Sequence, residues 1–137
     1  MIYHSATIIL ILRRKAMGIK SWKFHKNFTP LVYGFFAEVI VLESAQKFRV
    51  SLENKTLTRV DKQILLLSKE GSDIRFPYSK KIAKRLFELR IPGEQSIRLF
   101  YTFTKGTILI VSGYTKKSQK LDTDELYRAL KILNQLD

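Results

Sequence analysis

The chain is 137 residues long, room for one compact domain but not two. Its 45% hydrophobic and 12% aromatic content excludes a disordered chain, and the lack of Cys excludes a disulfide scaffold, thiolate zinc sites and a cysteine nucleophile. Lys and Arg number 25 against 12 Asp and Glu, a net charge of +13, which calls for a polyanionic partner: nucleic acid or an anionic membrane surface.

The first segment stands apart. Its longest apolar run, Ala6–Leu12, is far below the ~20 residues of a membrane span. Arg13, Arg14 and Lys15 follow that run, whereas a secretory signal places its charge before it. The expectation is a soluble, unexported, cytoplasmic protein with no membrane partner. The two histidines, His4 and His25, both lie here, so a histidine-rich metal site is not expected, nor is any cofactor. Residues 1–33 hold Arg13, Arg14, Lys15, Lys20, Lys23 and Lys26, no acidic residue and no sustained period. Residues 1–37 read as a basic N-terminal extension. It is either poorly ordered or encoded upstream of the natural start, with Met17 as an alternative, or a basic arm that touches RNA. Residues 38–137 read as the folded domain.

Glu38-Val-Ile-Val-Leu-Glu43 is a short β-branched run, a buried strand. Ala45, Phe48 and Leu52 follow at helical spacing, and Leu57, Val60, Ile64 and Leu67 repeat it over a second, longer helix that should stop at Gly71. Residues 72–86 carry no clear period; Pro77 interrupts them, and Lys80, Lys81, Lys84 and Arg85 crowd together. Three strand-like runs come next: Phe87–Ile91, Ile97–Thr104 and Thr107–Tyr114, the last two joined by a Lys105-Gly106 turn. A final helix starts near Asp122, where Asp122 and Glu125 have capping-box spacing, and Leu126, Ala129, Leu130 and Leu133 make its apolar stripe. The order βααβββα is an α+β fold: a small, antiparallel-dominated sheet with helices on one side.

Two arginines fall on strands. Alternation sets Arg90 opposite in direction to Phe87, Leu89 and Ile91, and Arg98 opposite to Ile97 and Leu99, so both guanidiniums should emerge on the open face. A three-residue loop, Gly93-Glu94-Gln95, makes Arg90 and Arg98 direct cross-strand partners. Like charges so placed destabilise a sheet, and a phosphate between them removes the cost. The ordinary alternative is ion pairing, with Glu88 or Glu94. The Lys105-Gly106 turn sets Arg98 opposite Gly113, whose missing side chain would leave room for a ligand backbone. Lys116, Lys117 and Lys120 follow the last strand beside Tyr114, and an aromatic among cations suits a nucleotide. Lys80, Lys81 and Lys84 read as an electrostatic rim for RNA. There is no Ser-His-Asp set and no Gly-rich phosphate loop, and Glu88 and Glu94 do not make an acid/base pair. Basic and phenolic groups suit cleavage within RNA, where the 2′-OH is an internal nucleophile.

Phe87-Glu-Leu-Arg-Ile91, Ile97-Arg-Leu-Phe-Tyr101, Ile108–Lys120 and Glu125-Leu-Tyr-Arg-Ala-Leu130, together with Leu66–Gly71 and Pro77–Lys81, resemble the RelE/HigB toxin superfamily, in its phage-derived HigB-like branch. The resemblance covers residues 38–135. It implies a type II toxin that cuts mRNA, typically on the ribosome, and that is silenced by a cognate antitoxin, a helix-turn-helix HigA-like protein. Carried over by position, Arg90 and Arg98 bind phosphate and stabilise the transition state. Lys116 or Lys117 is the general base or acid, and Lys120 matches the family's later Lys. Tyr114 stands where the family often has Phe, so stacking is its expected role. Leu121-Asp122 replaces a common Pro, the last turn is less basic than usual, and a long basic extension is not typical. The rival reading is a non-catalytic RNA- or ribosome-binding module on the same fold. A DNA-binding regulator is disfavoured, because the helices commit their regular faces to apolar burial.

Overall fold

Runs such as Ile108-Leu-Ile-Val111 and Leu99-Phe-Tyr101 leave no polar side for solvent, and the sheet they build is covered on both faces. A computed structural model describes residues 8–12 and 37–136. In chain order the elements are β1 (Ile8–Leu12), β2 (Glu38–Leu42), α1 (Glu43–Val50), α2 (Asn54–Glu70), a 3-10 turn (Gly71–Asp73), β3 (Ser79–Ala83), β4 (Leu86–Ile91), β5 (Ser96–Thr104), β6 (Thr107–Lys116) and α3 (Thr123–Leu136). The strands form one sheet in the order β1-β2-β6-β5-β4-β3. β2 and β6 run parallel; every other neighbouring pair is antiparallel. The fold is α+β with a small, mostly antiparallel sheet packed on helices, as expected. Most of the extension, including His4, His25 and Met17, lies outside the described residues; within it, β1 pairs with β2. No helix among the described residues is long and apolar enough to cross a membrane.

The helices divide between the two faces. Val60, Ile64 and Leu67 of α2 and Ala45 of α1 pack with Val39, Leu89, Ile97, Leu99 and Ile108 on one side. Ala129 and Leu133 of α3 pack with Leu42, Leu86, Phe100 and Val111 on the other. The expectation of helices on one side is therefore corrected. Each strand carries apolar residues at successive positions, so both faces need a cover, and the α3 stripe supplies the second one.

Local chemistry sets the boundaries. α2 ends at Gly71, with φ of 58°. Asp122 caps α3: its Oδ1 accepts the Glu125 backbone N–H at 3.2 Å. α1 and α2 are tied by a buried bidentate pair, Arg49 Nε and Nη2 each 2.8 Å from a different Asp61 carboxylate oxygen. Residues 79–83, which carry no clear period, form the edge strand β3. An edge strand buries only part of its surface, so Lys80 and Lys81 stay exposed and the alternation is faint.

Two hairpins present the central strands. Arg90 pairs with Arg98 across β4 and β5, the register that a three-residue loop dictates. Arg59 of α2 reaches this loop: its Nη1 donates to the Pro92 carbonyl, and its guanidinium occupies the space that a Cβ on Gly93 would need. The β5–β6 turn is Lys105-Gly106, both at positive φ. Here the register departs from a simple hairpin. Phe100 pairs with Ser112 but Tyr101 with Ile110, so Val111 is an extra residue, a β-bulge. The bulge moves Arg98 from Gly113 to Tyr114 and pairs Gly113 with Leu99. Gly113 does not hold a place for a ligand backbone either: a Cβ there would lie 2.6 Å from both Leu99 Cδ2 and Phe48 Cδ2. The missing side chain admits the Phe48 ring of α1.

The Arg49–Asp61 pair is nearly sealed, its side chains 3% and 5% exposed. Removing one partner leaves the other charge buried and uncompensated. Arg49→Ala is expected to cost about 3–5 kcal/mol, with a smaller loss in the double variant Arg49→Met/Asp61→Leu; urea denaturation of the three proteins checks this.

Candidate active site

Cross-strand partners share a face, so the registers assemble the site in rows. One row reads Lys80 (β3), Glu88 (β4), Phe100 (β5) and Ser112 (β6). The next reads Arg90 (β4), Arg98 (β5) and Tyr114 (β6), and the third Ser96 (β5) and Lys116 (β6). All lie on the face that α3 covers in part. The Val111 bulge is what turns Tyr114 to this face.

Glu88 is the hub and is only 4% exposed. Arg90 Nε donates to Glu88 Oε1 at 3.3 Å, and Tyr114 Oη donates to Oε2 at 3.3 Å. Arg98 Nε lies 3.7 Å from Oε1, within ion-pair reach but too far for a hydrogen bond. That Nε is buried and has no hydrogen-bond partner among the described residues. The Nη1 of Arg98 is held by Ser96 Oγ at 2.8 Å and the Ile97 carbonyl at 3.2 Å. Of the two carboxylates offered as ion-pair partners, Glu88 is thus the one that meets both strand arginines, while Glu94 pairs with Lys55 at the surface. The like-charge contact is relieved by this carboxylate, and the guanidiniums do not stand on an open face: the Arg90 and Arg98 side chains are 25% and 14% exposed. One carboxylate balances only one of two guanidiniums. A surplus positive charge and an unsatisfied donor remain, the chemistry of an anion site.

Tyr114 sits deep in this cluster. Its ring stacks on Phe100 with centroids 5.6 Å apart. It is only 5% exposed, which leaves little of the ring for a base to stack upon. Burial, then the charge of Glu88 and the hydrogen bond to it, push the phenol well above its usual 10.0. Tyr114 therefore keeps its proton through neutral pH and directs it at Glu88.

Beside this cluster opens a cleft of about 610 Å³. Tyr114, Lys116, Lys117 and Lys120 line it, with Glu125 and Arg128 of α3. Lys116 Nζ donates to the Lys120 carbonyl at 2.7 Å, which closes the turn after β6 and gathers the three lysines on one side. The structure thus brings Arg90, Arg98 and Tyr114 into one row, and gathers Lys116, Lys117 and Lys120 at the adjoining end of β6. The rim lysines divide. Lys80 shares the Glu88 row, Lys81 shares the opposite face with Phe87, and Lys84 lies in the turn after β3. β3 is three strands from β6, roughly 14 Å at the usual strand spacing. Sequence reasoning passed over Phe76, whose ring centroid is 5.3 Å from Arg90 Cζ. Its only signal was an aromatic next to Pro77 in a basic stretch.

Tyr101 is also pushed upward, by burial, partly offset by its hydrogen bond with Ser79. A phenol whose folded value stands above 10.0 contributes fully to stability below pH 10 and loses that contribution as pH rises through the folded value. Stability should therefore fall above about pH 10, and Tyr114→Phe should flatten the fall; thermal melts on either side of that pH check both.

No curated protein matches the chain. A family model does: the phage-derived protein Gp49-like (DUF891) family, over residues 46–134, a span that runs from α1 into α3 and includes every site residue described above. By that match the chain belongs to the phage-derived Gp49-like family, which is RelE- and toxin-like in general.

Proposed function

We propose that the chain is the toxin of a type II toxin–antitoxin system, an endoribonuclease of RelE/HigB type that cuts mRNA on the ribosome. The observation that carries this reading is the facing pair Arg90 and Arg98 on a single carboxylate, with one charge unbalanced among the described residues. A phosphodiester supplies the missing negative charge. Its non-bridging oxygens accept from the two guanidiniums, and their negative charge grows as the phosphorane forms, so the same contacts strengthen in the transition state. The ribose 2′-oxygen attacks phosphorus, the P–O5′ bond breaks, and the products are a 2′,3′-cyclic phosphate and a 5′-hydroxyl.

Two protons must move: off the 2′-OH and onto the leaving O5′. Tyr114 is a poor base, since its proton is held tightly and already engaged by Glu88. The transfers fall to Lys116 and Lys117, at the cleft end of the same strand. In this reading the partners are mRNA, the ribosome and a helix-turn-helix, HigA-like antitoxin, all in the cytoplasm.

One observation favours the second reading, a non-catalytic RNA- or ribosome-binding module. Glu88 already engages Arg90 and Tyr114, so the cluster is partly neutralised before RNA arrives. Purified protein, translating ribosomes and one mapped transcript separate the two. The toxin reading expects new 5′ ends, and a loss of about a hundredfold or more in cleavage rate for Arg98→Ala, the scale of removing one preorganised donor. Salt-sensitive binding with an intact transcript supports the module; cutting by Arg98→Ala at the unsubstituted rate refutes the site.

A further inference from the structure

We propose that Phe76 and Tyr78 form a stacking subsite for an unpaired RNA base next to the phosphate held at Arg90 and Arg98. This inference rests on that phosphate reading and adds to it the residues that contact the base. Large aromatic rings are normally covered, and both of these are not: Phe76 is 70% exposed and Tyr78 45%. They are two of the three exposed aromatic residues among the described residues, two positions apart in the chain.

Both are anchored to the strand that carries the cation. The Tyr78 carbonyl accepts the Arg90 backbone N–H at 2.8 Å, which continues the β3–β4 ladder and holds residue 78 beside residue 90. The backbone N–H groups of Tyr78 and Ser79 donate to the Arg75 carbonyl at 2.9 and 3.1 Å, closing the turn that presents the Phe76 ring. That ring lies against the Arg90 guanidinium, 5.3 Å from centroid to Cζ. Arg90 meets Glu88 through Nε, and its terminal nitrogens make no hydrogen bond among the described residues.

Two rings and a cation with free donors match the two halves of a nucleotide. The rings offer faces to a base, and the guanidinium donates to a phosphate oxygen. Exposed Arg75 and Lys80 flank the rings and favour a polyanion over an apolar peptide. Only a single strand fits this chemistry, because a base inside a duplex has no free face.

The test uses the full chain and a 2′-O-methyl RNA oligonucleotide, which lacks the attacking hydroxyl and stays uncut. Affinity is measured by fluorescence anisotropy over a salt series, with single abasic positions walked along the RNA. One abasic position should weaken binding about tenfold. Phe76→Ala and Tyr78→Ala should weaken binding to intact RNA by a similar factor, lose sensitivity to that position and leave the salt slope unchanged, since neither ring carries charge. Phe76→Tyr should restore binding, which separates stacking from damage to the turn. Arg98→Ala should instead lower the salt slope by about one. Salt-dependent binding that is indifferent to every abasic position, or to loss of either ring, overturns the subsite and leaves the phosphate reading standing. A slope unchanged in Arg98→Ala overturns the phosphate reading and the subsite with it.

Discussion

A carboxylate with almost no solvent contact is expensive to keep ionised unless cations and donors surround it, and Glu88 has all of these. Arg90, Arg98 and Tyr114 converge on its two oxygens from three strands. The dependence runs both ways. Without Glu88, two guanidiniums would face one another across β4 and β5 with nothing between them. Without the arginines, the carboxylate would be a buried, unpaired charge. Because the charges do not cancel, the cluster is held together and still keeps a net positive charge. A fully balanced cluster would be inert, and an unpaired arginine couple would push the hairpin open.

That arrangement depends on backbone devices some distance from it. The Val111 bulge sets Tyr114 beside Arg98, where an uninterrupted hairpin would have put Gly113. Gly113 admits the Phe48 ring of α1, and Gly93 admits the Arg59 guanidinium of α2. Both close approaches fix the sheet against the helices, so the side chains of β4 to β6 are aimed by packing on the opposite face. Residues 46–134, the span shared with the Gp49-like family, contain all of these devices.

The part of this that could be read in the chain is the part governed by counting. The odd loop Gly93-Glu94-Gln95 fixed the pairing of Arg90 with Arg98, and the spacing of Val60, Ile64 and Leu67 placed α2. The Asp122–Glu125 spacing placed the start of α3. What escaped was whatever leaves no mark on periodicity. In Ile108-Leu-Ile-Val111 every residue is apolar, so an extra residue breaks no alternation and the bulge is invisible. The α3 stripe shows that the helix packs, but not against which face of the sheet. β3 sits at an edge with two exposed lysines, so its pattern is too weak to read. Glu88 shared a face with Arg90 by simple alternation; only its burial reveals that it binds both arginines.

The two margins of the sheet differ in chemistry. β3, Ser-Lys-Lys-Ile-Ala, ends it on one side with exposed ammonium groups that repel a second copy approaching strand to strand. β1, Ile-Ile-Leu-Ile-Leu, ends it on the other with no charge in its five residues. In the sequence, Arg13-Arg14-Lys15 follows that strand directly, and charges that flank an apolar strand in a chain commonly oppose aggregation. A polypeptide begun at Met17 would lose strand and triplet together, leaving Glu38-Val-Ile-Val-Leu42 as the bare margin. The margin so bared would lie directly beside β6, the strand that carries Tyr114 and Lys116.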